Sequence, residues 1–211
     1  YTTPLILRTI LKEEGHEIGV HGLYHDGKLY NSKKIFMQRA ARINEYLEAW
    51  NAVGFRSPSM HHNLDWLHAL NVQYDLSTFD TDPFEPDNTS LGTIFPQWIP
   101  PSANDRGYVE LPYTLPQDST LYLFLREKDI DIWKTKLDWI VKQGGMALLN
   151  THPDYMEFSS NARPNRTYPA DLYNEFLHYV DSTYRGRYWH ALPHEIAGFA
   201  AHHYRSIGSP S

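Results

Sequence analysis

Apolar positions recur along this chain with two different periods, and the switches between them mark out its elements. "PLILRTILKEEG" (4–15) reads as a helix, with Pro4 near its start and Gly15 as its stop. "HEIGVH" (16–21) alternates like a short strand running into a turn. "SKKIFMQRAARINEYLEAW" is a long amphipathic helix whose apolar positions are Ile35, Phe36, Ile43, Tyr46, Leu47 and Trp50. "VGFRSP" reads as the next strand, and Asn63 caps a short helix, "LDWLHAL". "VQYDLSTF" is a third strand. A Pro-rich connection, "DPFEPDNTSLGTIFPQWIPPSANDRG", then leads to the strand "YVELPYT". A helix over "DIDIWKTKLDWIVKQGG" is closed by glycines and followed by a buried strand, "MALLNTH". "PADLYNEFLHYVDSTYRG" is helical, "YWHALP" reads as a strand, and "HEIAGFAAHHYR" is a last helix with Pro193 at its start.

Strands alternating with helices of about ten residues or more predict parallel βα units, hence an α/β fold in one domain over residues 1–211. Each strand also ends in a chemical residue: His21 and His25, Arg56, Asp75 to Asp82, Tyr113, His152. In such folds the carboxyl ends of the strands build the site, so residues far apart in sequence are expected to converge on one mouth. A βα series begins with a strand, yet this one opens on a helix. At least one further N-terminal strand is therefore expected to belong to the fold.

Hydrophobic residues make up 41% and aromatics 14%, enough for a real core. A net charge of -6 without any Lys/Arg run argues against a nucleic-acid partner. No apolar stretch approaches the ~20 residues that cross a bilayer, so no membrane span is expected. The charged N-terminal stretch does not read as a secretory leader, and a cytoplasmic location is the expectation. With no cysteine and twelve histidines, any transition-metal site must combine imidazole with carboxylate. His21 and His25 are the first candidates. They lie four apart, but Gly15, Gly19, Gly22 and Gly27 make a helix there costly, so both are expected on a strand exit.

Four segments, in this order, resemble the polysaccharide deacetylase family of metal-dependent carbohydrate esterases. "GHEIGVHGLYH" is similar to its His-x-x-x-His metal motif, and "GFRSPSMHHN" to its Arg-x-Pro motif. "YDLSTFD" sits where the family has an acidic motif, and "ALLNTHPDYM" resembles its closing strand with a histidine. The resemblance spans residues 4 to about 200 and implies a distorted (β/α) barrel. The family's first motif, Thr-Phe-Asp-Asp, which supplies a base and an aspartate ligand, has no match before His21. "STFDTDP" (77–83) is similar to it but lies downstream, so either that motif belongs to the expected missing strand or Asp80 or Asp82 completes the metal site.

By this resemblance, His21 and His25 hold a divalent metal, zinc first among the choices, and Arg56 orients the base. His152 protonates the leaving nitrogen, held in its tautomer by Asp75 or Asp80, of which Asp80 lies nearer the strand exit. Tyr24, Trp66, Tyr113 and Tyr155 are candidates for a sugar platform. The implied activity removes acetyl or similar groups from an amino sugar or polysaccharide. The alternatives are a catalytically incomplete carbohydrate-binding domain and a hydrolase of a small non-sugar amide. His61 and His62 read as a loop rim, and His178, His190, His194, His202 and His203 as structural.

Overall fold

The computed structural model describes residues 3–85, 89–101, 106–158 and 166–208. The α-helices among them are α1 (Leu5–Glu13), α2 (Lys33–Trp50), α3 (Leu64–Leu67), α4 (Asp131–Gln143), α5 (Ala170–Tyr184) and α6 (Pro193–Gly208). The strands are β1 (Gly54–Phe55), β2 (Tyr74–Asp75), β3 (Gln97–Ile99), β4 (Tyr108–Glu110), β5 (Met156–Glu157) and β6 (Tyr168–Pro169).

The period of α2 is realised in its packing. Phe36, Ala40, Ile43 and Leu47 form one buried face against Phe55, Leu67 and Leu70. Each large side chain buried this way contributes roughly 1.5–3 kcal/mol. Ser32 caps the start of α2 by accepting from the Ile35 amide, and Asn51 ends it in the left-handed conformation. Asn63 caps α3 through Oδ1, which accepts the Trp66 amide at 3.1 Å. Asn63→Ala is expected to lower stability by about 1 kcal/mol, read from the urea midpoint.

The main sheet runs β1-β2-β4-β3, parallel except for β3. Isolated parallel bridges extend it: Val20 to Phe55 on one side, Phe79 to Tyr113, and Leu115 to Leu149 on the other. Alternation then assigns the faces. Phe55 and Tyr108 pack beneath α2 and α3, whereas Tyr74, Val109 and Leu111 pack on Ala197 and Ala200 of α6. Gly54 permits this arrangement, because a Cβ there would stand 2.0 Å from the Tyr74 ring.

The α/β class and its parallel sheet are as expected, but the described strands do not close into a barrel. Several expected strands are also shorter. "HEIGVH" and "MALLNTH" contribute one bridge each, and residues 188–193 form no strand. Val20 shows the reason: its amide and carbonyl bond β1, and no ladder flanks its other side among the described residues. Sequence periodicity also passed over β3 inside the Pro-rich connection, the π-helical segment Ser119–Leu125 and the β5–β6 pair. No described helix is long and apolar enough to cross a membrane.

Candidate active site

A cleft of about 1260 Å³ opens between the Val20 segment and the Leu149 segment, and His21, His25, Arg56 and His152 all line it. These four strand-exit residues meet in space, whereas Asp75, Asp80, Asp82 and Tyr113 do not line the cleft. The histidine loop turns at Gly22, which has a φ of +68° and lies so close to Pro58 that a Cβ would come within 2.7 Å of the proline ring. Any side chain at position 22 would push the two imidazoles off the β1 exit.

The His21 and His25 ring centroids are 5.5 Å apart, with planes tilted by 59°. Nδ1 of His21 bonds the Arg56 carbonyl at 2.9 Å, which leaves Nε2 as the lone-pair nitrogen. Burial, helped by the charge of Arg56, pulls the His21 pKa below its ordinary value and favours the neutral ring. A neutral imidazole oriented through its second nitrogen is what a metal requires. The pair therefore fits as two donors to a divalent ion. Among the described residues no third His, Asp or Glu joins them in a group able to hold one.

The expected carboxylates are elsewhere. Asp80 accepts from Lys136 Nζ at 2.6 Å, and Asp82 accepts from the Phe84 amide at 2.9 Å and lies 2.8 Å from the Tyr113 hydroxyl. Neither lines the cleft, so neither completes the metal pair. Asp75 is fully buried under the helix layer and binds Ser77, which rules it out as the partner of His152. That partner is Asp118. Its Oδ1 lies 2.6 Å from His152 Nδ1, and its Oδ2 accepts the His152 amide at 2.7 Å and the Tyr168 hydroxyl at 3.1 Å. The expectation of Asp80 or Asp75 in this role is corrected by that geometry. Asp118 follows the exit of the β4 segment and begins the Ser119–Leu125 turn, where its carboxylate also accepts the Ser119 amide. An aspartate placed before a serine at the start of an apolar run was the signal for it.

Arg56 donates through Nε to the Leu76 carbonyl at 3.2 Å and through Nη1 to Asn150 Oδ1 at 2.6 Å. Burial lowers its pKa from the ordinary arginine value, against the opposing pull of Asp75 and Tyr74, and it remains a cation. It forms no ion pair with any described carboxylate. Asn150 in turn donates to Gln117 Oε1 at 2.6 Å, and Gln117 donates to Glu85. Burial and the charge of Asp82 raise the Glu85 pKa. Asn150, Gln117 and Glu85 were not singled out by sequence. Only the side-to-side arrangement of strands reveals them.

Of the aromatic candidates, Tyr24 and Tyr155 line the cleft, the latter with its ring 5.1 Å from His152. Tyr113 is 1% exposed and packed on Phe79, so it cannot stack on a sugar. Trp66 packs on Tyr30 and Phe36 in the helix layer, away from the cleft. His62 is tied to the Met60 carbonyl and Thr89, and His194 to Glu17.

No family model and no curated protein matches the chain. Solved structures do. A Mycobacterium smegmatis protein described as a polysaccharide deacetylase superimposes with a TM-score of 0.65 at 24% identity, covering 94% of this chain and 67% of its own. A Pseudomonas aeruginosa protein of the same description gives 0.62 at 18% identity, covering 97% and 65%. An allantoinase gives 0.60 at 16%, covering 98% and 64%. The chain thus has the fold of these proteins and spans about two thirds of their length.

Proposed function

We propose that this chain carries much of the site of a metal-dependent hydrolase that removes acetyl or similar groups from the nitrogen of an amino sugar or polysaccharide. The observation that supports it most is the facing of His21, His25, Arg56 and the Asp118-held His152 onto one cleft. His21 and His25 would hold the ion, zinc being the natural choice for imidazole donors. When bound, such an ion polarises the scissile carbonyl and lowers the pKa of a water from 15.7 to about 7.

The residues' own tasks follow from their contacts. His152 bonds Asp118 through Nδ1, so its Nε2 is free to pass a proton to the departing nitrogen. Arg56 offers its remaining donors to an anionic group in the cleft. Tyr24 and Tyr155 offer ring faces to a sugar. The likeness to the allantoinase gives weight to a second reading, a small non-sugar amide as substrate.

Zinc titration by calorimetry tests the ion site directly, and hydrolysis of acetylated glucosamine oligomers against a panel of small amides tests the substrate class. His21→Ala is expected to weaken zinc at least about tenfold and to abolish turnover. Unchanged zinc affinity in that variant would remove the metal reading.

A further inference from the structure

Among the described residues no carboxylate pairs with Arg56 in the cleft, yet its charge is not left unanswered. Its Nη1 donates to Asn150 Oδ1, the Asn150 amide nitrogen donates to Gln117 Oε1, and the Gln117 amide nitrogen donates to Glu85 Oε1. Chemistry fixes the direction of this relay. A guanidinium has no acceptor, so Asn150 must turn its oxygen to Arg56 and its nitrogen to Gln117. Gln117 must then accept from Asn150 and turn its own nitrogen outward, where a carboxylate receives it. Both amides line the cleft yet are at least nine-tenths buried, at 5% and 9% exposure, so each depends mainly on its protein partner. At the far end the Tyr113 hydroxyl lies 2.8 Å from Asp82 and 2.7 Å from Glu85. A single phenolic proton cannot neutralise two carboxylates. If they share one further proton, a negative charge still remains there.

We infer that Asn150 and Gln117 are positioning residues that keep the counter-charge of Arg56 at arm's length on Glu85, so that the guanidinium holds its place yet stays free to meet an anionic group in the cleft. A carboxylate at position 150 would accept the same hydrogen bond from Arg56, but would neutralise the guanidinium on the spot. The inference rests on the reading above, in which Arg56 works in this cleft. It adds that the distance of its counter-charge, as well as its geometry, is part of the site.

The relay has a reversed form that tests this. In Asn150→Asp, Gln117 turns its nitrogen to the new carboxylate and its oxygen meets Glu85, a repulsive contact. In the double variant Asn150→Asp with Glu85→Gln, the new amide at position 85 donates to that oxygen. Every bond is then restored in the opposite sense, and the charge lies directly on Arg56. Phenylglyoxal, which adds to guanidinium groups not held by carboxylates, reads the difference by peptide mass spectrometry without metal or substrate. The wild-type protein is expected to react at Arg56. The double variant is expected to unfold at the wild-type temperature and to react several-fold more slowly at that residue.

With an acetylated substrate that the wild-type protein hydrolyses, kcat of the double variant should fall by more than about tenfold, with KM little changed. A wild-type Arg56 that resists the reagent, or a double variant modified at the wild-type rate, overturns the inference. So does full kcat in a double variant whose Arg56 is protected. Absence of hydrolysis by the wild-type protein on every substrate counts against the hydrolase reading alone, because the modification rates still decide the placement of charge.

Discussion

Asp118→Asn is expected to reduce hydrolysis by about three orders of magnitude or more while the protein still folds, because the exchange inverts the tautomer of His152. Asp118 is fully buried and accepts from the Ser119 amide, the His152 amide, the Tyr168 hydroxyl and His152 Nδ1. Only an acceptor satisfies all four, so Nδ1 carries the hydrogen and Nε2 is the working nitrogen. The carboxylate also faces the positive charge whenever the ring is doubly protonated. An asparagine must turn its amide nitrogen toward one of these donors. Turned toward the ring, it donates to Nδ1 and locks the hydrogen onto Nε2, so His152 can no longer take up and release a proton there. Turned toward Oδ2's partners, it opposes the His152 amide and Tyr168. Nitrogen NMR of the imidazole separates these outcomes, and hydrolysis within tenfold of wild type would remove His152 from the proposed chemistry. Tyr168→Phe removes a single neutral donor and is expected to have a much smaller effect.

The contrast between Asp118 and Asp80 shows how far sequence could reach. Both follow strand exits, and nearness to the β2 exit favoured Asp80 as the partner of His152. The decision falls to α4, whose Lys136 captures Asp80 across a long sequence separation. No local pattern encodes that contact. His21, His25, Arg56 and His152 were legible for the opposite reason: a parallel strand delivers its last residues to one side of the sheet wherever in sequence it occurs. The face of α2 was legible because a 3.6-residue period survives any choice of partner. Tyr113 and Trp66 were misplaced because aromatic residues serve cores and platforms alike. Met60 and Phe79 cover Tyr113, and α2 covers Trp66. "YWHALP" fails as a strand for a third reason. Alternation describes what a segment can do, but ladder bonds need a neighbour. β3 reverses that case, since prolines flank an edge strand that pairs with β4 alone among the described residues.

Glu110→Gln is expected to raise stability at alkaline pH and to flatten its pH dependence. Glu110 and Asp75 stand opposite each other in register on β4 and β2, both without solvent exposure. Ser77 gives two hydrogen bonds to Asp75, and Thr78 gives two to Glu110 Oε1. Tyr30 and Tyr108 feel the charge of this pair, and Arg56 and His62 are basic groups that act on it. Burial, reinforced by the charge of Asp75, holds the Glu110 pKa well above its ordinary 4.5, so the folded protein retains a proton that the unfolded chain releases. A carboxyl shifted upward stabilises the fold fully below its unfolded pKa, and that contribution is lost as pH rises through the folded value. Wild-type stability should therefore decline from about pH 4.5 upward, by as much as ~1.4 kcal/mol per pH unit while this group dominates. Glutamine copies the protonated shape, keeps an oxygen for Thr78, and has nothing to ionise. At alkaline pH the variant should therefore exceed wild type in urea unfolding, and the difference should vanish near pH 4. Parallel stability curves for the two proteins between pH 4 and 9 would mean that Glu110 enters the fold already ionised, contrary to its surroundings.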